Sequence, residues 1–429
     1  MPWKIAIPVL VCLSAAAAQQ LTPIYDFQGG MDGSKPYAPL AADAAGVLYG
    51  TTEDGGGTGC GGLGCGAVFS WSPASGYSVL YRFQGGNDGW GPSSNNLLLG
   101  DSGAVYGTTS GGGGSGCQGA DCGVVYALAP PSAAGGTWGY KRLYAFEGGA
   151  DGAYPAALLH GRNGSLLGLT TRGGTPGCSG SGCGTLFELS PPTSGSGPWT
   201  KRTLYMFQGG ADSAGPTYFL RAGSGNYYGV SLDGGVAACG QPGCGTVFEL
   251  VPPSAAGQAW NEHVLYAFQG ATAGDGRYPN SLTAYQDVLY GTATGGGSYR
   301  SACANTTGCG VAFSLTPPPA GSSTWSEAVL YRFTPNWFGP EGNLVPDGSG
   351  GFYGAANTGQ RAYYGVIYHL LPPATGTGWT APTLHIFTNG SDGGLGNGLL
   401  AIGQVLYGTT SIGPMAPGCN CGTIYSFTP

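Results

Sequence analysis

Leu143-Tyr-Ala-Phe-Glu-Gly-Gly-Ala-Asp-Gly-Ala-Tyr-Pro155 ends one structural unit and begins the next. Close copies are anchored at Phe27, Phe83, Phe207 and Phe268, and weaker ones at Phe333 and Phe387, so that with Phe146 there are seven. The anchoring phenylalanines are spaced by 56, 63, 61, 61, 65 and 54 residues. Self-similarity at a near-fixed period is the signature of a repeat architecture. It also directs the search for function. A residue present in every copy builds the repeat, so a specific activity lies in what differs between copies.

Four strand-sized pieces recur around this motif. The first is short and apolar, as in Pro39-Leu-Ala-Ala-Asp43. The second is Leu48-Tyr-Gly-Thr-Thr52 and its relatives at 105–109, 166–171, 227–231, 289–293, 352–356 and 406–410. The third is Gly66-Ala-Val-Phe-Ser70, matched by Val124-Val-Tyr126, Thr185-Leu-Phe187, Thr246-Val-Phe248, Val311-Ala-Phe313, Val366-Ile-Tyr368 and Thr423-Ile-Tyr425. The fourth ends at the anchoring Phe. Trp138, Trp199, Trp260, Trp325 and Trp379 each precede a Leu by five residues and that Phe by eight. In strict alternation the Trp and the Phe share a strand face. A Trp recurring once per repeat reads as sheet-to-sheet packing rather than a sugar platform. Pro-Pro pairs beginning at 130, 191, 252, 317 and 372 stop the third strand. β-branched and aromatic runs punctuated by Gly, Asn, Asp and Pro are strand signals, and no window carries a sustained helical period.

Seven copies of four short antiparallel strands predict an all-β, seven-bladed β-propeller. The chain opens with a fourth-type strand, Ile24 to Phe27, and stops after a third-type strand at Pro429. The N-terminal strand is therefore expected to complete the last blade and close the ring.

Composition narrows the function classes. The chain has 429 residues with 87 Gly, 31 Pro and only 8% charged residues. It carries a net charge of −7 and no basic cluster, so no nucleic-acid footprint is expected. Residues 1–18 read as a secretory signal, with Lys4, an apolar core from Ile5 to Ala15 and the small-residue run Ala16-Ala-Ala18. Residues 19–429 form one domain, with no later span apolar enough to cross a membrane, and the expected location is extracellular or periplasmic. Twelve cysteines remain beyond the signal, in six close pairs: Cys60/Cys65, Cys117/Cys122, Cys178/Cys183, Cys239/Cys244, Cys303/Cys309 and Cys419/Cys421. An even count in an exported chain points to disulfides, and zinc would need two pairs brought together. One intervening residue leaves the pairing of Cys419 with Cys421 open. Closing loops this short contributes only about 2 kcal/mol each, so the bridges shape a Gly-rich loop.

The repeated Leu-Tyr-Gly-Thr-Thr (48–52, 406–410), Gly-Thr-Val-Phe-Glu-Leu (245–250) and Leu-Tyr-x-Phe-x-Gly-Gly motifs, with the cysteine spacing, resemble the Gloeo/Verruco ("GloVer") tandem-repeat family of exported bacterial proteins. The resemblance spans essentially the whole mature chain. It implies a propeller-like fold, largely unassigned activities and, in many members, a C-terminal envelope anchor. No such anchor follows within this sequence, so surface attachment by that route is not expected.

In a four-stranded blade the Gly-Gly-x-Asp-Gly turn and the cysteine loop open on one face, around the channel entrance. The turn aspartates, Asp32, Asp88, Asp151, Asp212, Asp275 and Asp392, form either a cation-binding ring or caps of a Gly-rich turn. One carboxylate per site falls short of the six to eight oxygens of calcium, so the turn reading is preferred, and no metal or cofactor is expected. The sixth repeat departs from the template. Thr334-Pro-Asn-Trp-Phe-Gly-Pro-Glu-Gly-Asn343 replaces the turn, and Asn357 to Tyr364 replaces the cysteine loop. Trp337, Glu341, Asn343, Arg361, Tyr363 and Tyr364 are thus candidate ligand-binding residues, set against drift in an eroded repeat. Arg172 and Arg300, in the matching loops of the third and fifth blades, are further candidate ligand-binding residues, and Asp54 and Asp233 are the acids in such loops. His160, His263, His369 and His385 lack metal-ligand spacing and read as structural. No Gly-x-Ser-x-Gly elbow or phosphate loop occurs.

The expectation is an exported, non-catalytic, monomeric propeller that binds extracellular ligand, a glycan or another polar molecule. The alternatives are a polysaccharide hydrolase or lyase using Glu341, Arg361 and Tyr363, and a structural envelope protein.

Overall fold

The computed structural model describes residues 19–429 except 93–96, 115–116, 118–121, 134, 195–196, 224, 236–238, 241, 256–257, 298–302, 304–307, 335–338, 358–363, 376–377 and 415–418. Seven sheets stand around an axis, and six of them run in sequence order. The third, for example, consists of Ala153–His160, Leu166–Arg172, Thr185–Ser190 and Thr200–Met206. The seventh is completed from the other end of the chain. Gln20–Asp26 pairs antiparallel with Thr423–Thr428, so the N-terminal strand closes the ring as its sequence type demands.

Strand register explains the recurring motifs. The Gly of the second strand lies opposite the aromatic residue of the third: Gly50 faces Phe69, Gly168 faces Phe187 and Gly229 faces Phe248. A methyl group on Gly168 would stand 2.2 Å from the Phe187 ring. Gly is therefore required because the ring lies flat across the backbone, where it is fully buried. The tryptophans pack between blades as expected. Trp138 meets Tyr49 of the preceding blade at 6.5 Å, and Trp325 meets Tyr228 at 5.8 Å. The expected alternation needs correction. Every fourth strand carries a bulge at the Leu or Ile before its Tyr or His, as between Tyr144 and Arg142 or Tyr205 and Thr203. Strict alternation from Trp to Phe is broken there, and Leu143 and Phe146 are both buried.

The opening motif is the joint between blades. Asp151 accepts hydrogen bonds from the Tyr144 hydroxyl (2.8 Å) and the Glu147 N–H (2.9 Å). The same pair of bonds recurs at Asp32, Asp88, Asp212 and Asp275, and at Asp392 with His385 in place of Tyr. These carboxylates cap turns. The last Gly of the turn packs under a second-strand hydroxyl: a Cβ on Gly33 would lie 2.3 Å from Thr52 Oγ1. The cysteine loop leans on the same turn, and all six pairs are bonded, Cys419–Cys421 included, with Cα separations of 5.3–5.6 Å.

The first cysteine loop is open to solvent from Cys60 to Leu63, while the second cysteine of each pair is sunk into the molecule. Cys65, Cys122, Cys183, Cys244 and Cys309 are all buried and belong to the apolar cores between blades. Two contacts hold them there. Their sulfurs cover the first Gly of the next turn, so that a Cβ on Gly85 would lie 3.2 Å from Cys65 Sγ and one on Gly209 3.1 Å from Cys183 Sγ. Their carbonyls accept an N–H from the following blade: Gly91 to Cys65 at 3.0 Å, Gly215 to Cys183 at 2.9 Å and Gly339 to Cys309 at 3.1 Å. Buried sulfurs of this kind are packing groups that no ligand reaches, so these cysteines belong to the scaffold and not to a site.

Two residues after Trp138, Trp199 and Trp260, a side chain reaches back to this turn. Tyr140 donates to the Asp88 carbonyl, and Lys201, 5% exposed, pairs with Asp151 at 2.9 Å. In the fourth blade the position is Glu262, which accepts from Ser213 at 2.6 Å and lies beside Asp212. Burial, then the Asp212 carboxyl, pushes Glu262 up to about 8.

Two outcomes follow. Gly30 and Gly33 both have positive φ (56° and 100°), but only Gly33 is crowded. Gly30→Ala should cost about 1–2 kcal/mol in denaturant unfolding, and Gly33→Ala a further 1–3 kcal/mol; equal losses would refute the packing account. Glu262 holds its proton more tightly folded than unfolded. Its contribution is complete below its unfolded pKa near 4.5 and is lost as pH rises toward about 8. Glu262→Gln should therefore flatten the fall in melting temperature between pH 5 and 8; an unchanged slope would count against the pair.

Candidate functional site

The innermost strands line the channel, and their lengths differ. Between the joint Pro and the buried core residue, the third, fourth and fifth blades follow one spacing: Pro155 to Leu158, Pro216 to Phe219 and Pro279 to Leu282. The first and sixth blades are one residue longer, Pro36 to Leu40 and Pro340 to Leu344. The additional residues place Tyr37 and Glu341. In the sixth blade pairing shifts register between Glu341 and Val345, so the intervening backbone swings out of the ladder.

A cavity of about 230 Å³ opens here, lined from five of the seven blades. Tyr37, Pro39 and Leu40 come from the first blade and Tyr218 from the fourth. Asn280 and Ser281 come from the fifth, Glu341 to Asn343 from the sixth and Asn397 to Leu400 from the seventh. Side-chain amides stitch consecutive inner strands. Asn280 donates to the Pro340 carbonyl (3.0 Å), Asn343 to Leu399 (3.1 Å) and Asn397 to Pro36. Ser281 donates to the Gly342 carbonyl at 2.7 Å. Gly342 and Gly398 allow the sixth and seventh strands to touch: a Cβ on Gly342 would lie 2.3 Å from Gly398 Cα. The polar residues thus sit on a rigid, cross-linked floor.

Glu341 is the carboxyl group of this cavity among the residues that line it. Burial pushes it up to about 7, against a hydrogen bond to the Asn357 side chain that acts downward. It can therefore hold or release a proton near neutral pH. Tyr37 is 45% exposed at the rim. Its neighbour Lys35 is held by Asp54 at 2.6 Å.

The candidates read from the sequence divide accordingly. Glu341 and Asn343 line the cavity together. Tyr364 does not: it takes the place of the second cysteine, its carbonyl accepts the Leu395 N–H, and its side chain packs partly buried against the joint to the seventh blade. Arg172 lies on the third blade, stacked over Tyr154 at 5.1 Å and away from the cavity lining. Asp233 faces Arg277. Trp337, Arg361, Tyr363 and Arg300 lie outside the described residues. His369 and His385 pair with Asp347 (2.8 Å) and Asp392 (3.1 Å), as structural histidines do. Tyr37, Tyr218, Asn280, Ser281 and Asn397 were not singled out from sequence. Their signal was the stretch between joint Pro and core Leu, compared across copies.

The Gloeobacter/Verrucomicrobia repeat pattern matches residues 11–241, more than half of the sequence. The chain belongs to this repeat family. No curated protein matches this GloVer chain. Among solved structures, it resembles one described as the extracellular domain of a hybrid two-component system of B. thetaiotaomicron, at 11% identity and a TM-score of 0.53, covering 96% of this chain and 42% of that one. It also resembles a luciferin-regenerating enzyme (11% identity, TM-score 0.45, 96% of each chain) and a glucose dehydrogenase (13% identity, TM-score 0.40, 95% and 99%). At these identities the likeness concerns the propeller fold alone.

One outcome tests the site's electrostatics. A carboxyl titration by carbon NMR should show a group with a midpoint about 7 that vanishes in Glu341→Gln; a midpoint near the ordinary glutamate value of about 4.3 would sink the buried placement.

Proposed function

We propose that this protein is an exported, non-catalytic, monomeric propeller that holds a glycan end or another small polar ligand in the cavity around Glu341. The observation that carries this reading is the cavity itself, where a rigid polar floor meets an aromatic rim at Tyr37. Its volume lies below the roughly 300–1,000 Å³ of pockets that enclose drug-sized ligands, which suits one sugar ring. Aromatic faces beside amides and a carboxyl are the groups that bind a ring's apolar face and its hydroxyls. Six bonded cysteine pairs suit an oxidising compartment.

Binding is favoured over glycoside hydrolysis because hydrolysis uses two carboxyls about 5–9.5 Å apart, and Glu341 has no carboxyl companion among the described lining residues. The enzymatic reading retains one support: a carboxyl that titrates near neutrality suits proton transfer.

A panel of plant and microbial polysaccharides, scored for both binding and product release, separates these readings. Binding without reducing-end or unsaturated-uronate release is the expected result. Tyr37→Ala should weaken binding about tenfold, the equivalent of roughly 1.4 kcal/mol, with stability unchanged to about 0.5 kcal/mol. Turnover abolished by Glu341→Gln would make the protein an enzyme. Silence across the panel would favour a structural envelope role.

A further inference from the structure

The hydrogen-bonding capacity of the cavity is unbalanced. A carbonyl oxygen only accepts, so the bonds to Pro340, Leu399 and Pro36 fix the orientation of three amides. Asn280, Asn343 and Asn397 turn their nitrogens toward the blade joints, and their oxygens point elsewhere. Asn280 Oδ1 accepts from Thr292 at 2.6 Å. Asn343 Oδ1 is buried without a partner and faces Gly398, where a Cβ would stand 2.9 Å from it. Glu341, when ionised, adds two further acceptor oxygens.

Charge is unbalanced in the same sense. Among the described residues, the lining contains Glu341 and no Lys or Arg. Lys35, two residues before Tyr37 at the rim, is engaged by Asp54. The cavity therefore offers a carboxyl group without a side-chain cation among its described lining, while one N–H of each of the three amides is committed to the backbone.

We propose that the cavity selects a ligand bringing its own donors and positive charge: an ammonium-bearing small molecule and, in the glycan reading on which this inference rests, an amino sugar. An ammonium group has three donors and no acceptor, the complement of the ionised Glu341 carboxylate. A uronate would place a second carboxylate beside Glu341 with no cation among the described lining residues to separate them.

The pairing couples binding to proton release. Burial favours the protonated acid in the empty cavity, and an adjacent ammonium favours the carboxylate. The other titratable groups facing the cavity are Tyr37 and Tyr218, with Glu53, Asp54 and Lys35 beside Tyr37.

Calorimetry on the full mature chain, at pH 5.5 and 7.2 and in two buffers of different ionisation heat, tests this with glucosamine, glucose, glucuronate and methylammonium. Glucosamine should bind at least tenfold more tightly than glucose, and glucuronate most weakly. The advantage should grow between pH 5.5 and 7.2 and be accompanied by proton release. Glu341→Gln should reduce it below threefold at an unchanged melting temperature. Glucose binding as well as glucosamine, or glucuronate binding best, would overturn the inference and leave the glycan reading intact. Methylammonium binding that requires Glu341, without any sugar binding, would support the selectivity and refute the glycan reading. Failure of all four ligands would refute both.

Discussion

One backbone hydrogen bond recurs at every joint between blades, and the ring depends on it. The residue before the joint Pro adopts a left-handed backbone: Lys35, Gly91, Tyr154, Gly215, Tyr278 and Gly339, and Leu395 at the equivalent place before Gly396. Its N–H donates to the carbonyl of the preceding blade's second cysteine, as from Tyr154 to Cys122 and from Tyr278 to Cys244. The Gly after that cysteine accepts the anchoring Phe N–H and lies under the joint Pro, so that a Cβ on Gly123 would stand 2.7 Å from Pro155. A left-handed conformation costs a non-Gly residue about 1–2 kcal/mol, and sterics before Pro favour extended backbone. Four non-Gly residues accept that cost because the bond joins two blades and cannot be made from an extended backbone. The disulfides hold the loop that presents the acceptor, which is why Cys65, Cys183 and Cys309 lie in the core rather than on the open face.

This joint accounts for both the uniformity of the ring and the place where it departs from uniformity. In the sixth blade the cysteines are gone, yet Tyr364 supplies the same carbonyl to Leu395. The joint survives while its covalent brace does not. The sixth inner strand is itself longer by a residue, after a joint whose Cys303–Cys309 brace is intact, and brings Glu341 to the cavity. The first blade makes the matching change with Tyr37. The cavity thus arises from the segments between the joint Pro and the core Leu.

The aspartates illustrate how a repeated polar residue is read. Six turn carboxylates around a channel resemble a cation ring in sequence. In the structure each is occupied by a Tyr or His side chain and a backbone N–H, which leaves it a structural acceptor. What varies is the group that reaches them from the following fourth strand: Tyr140, Lys201 or Glu262. That variation sets local electrostatics at each joint without altering the fold.

The seven blades, the closing N-terminal strand, the cysteine pairing and the exceptional sixth copy were all legible in the chain. They rest on local rules: period, alternation, turn chemistry and spacing. Glu341 and Asn343 were legible as departures from a template. Tyr364 was not, because its role lies in a backbone carbonyl that any side chain could carry. The burial of the second cysteines was hidden for the same reason, since it follows from a bond to the next blade. Tyr37, Asn280 and Asn397 were also hidden, since only ring closure brings the first, fifth and seventh blades to one cavity. The bulge at each fourth-strand Leu escaped alternation because bulges answer to cross-strand packing. Sequence alone determined which elements form and in what order. Tertiary structure alone decided which side chains converge, because convergence around the axis joins residues hundreds of positions apart that share no local pattern.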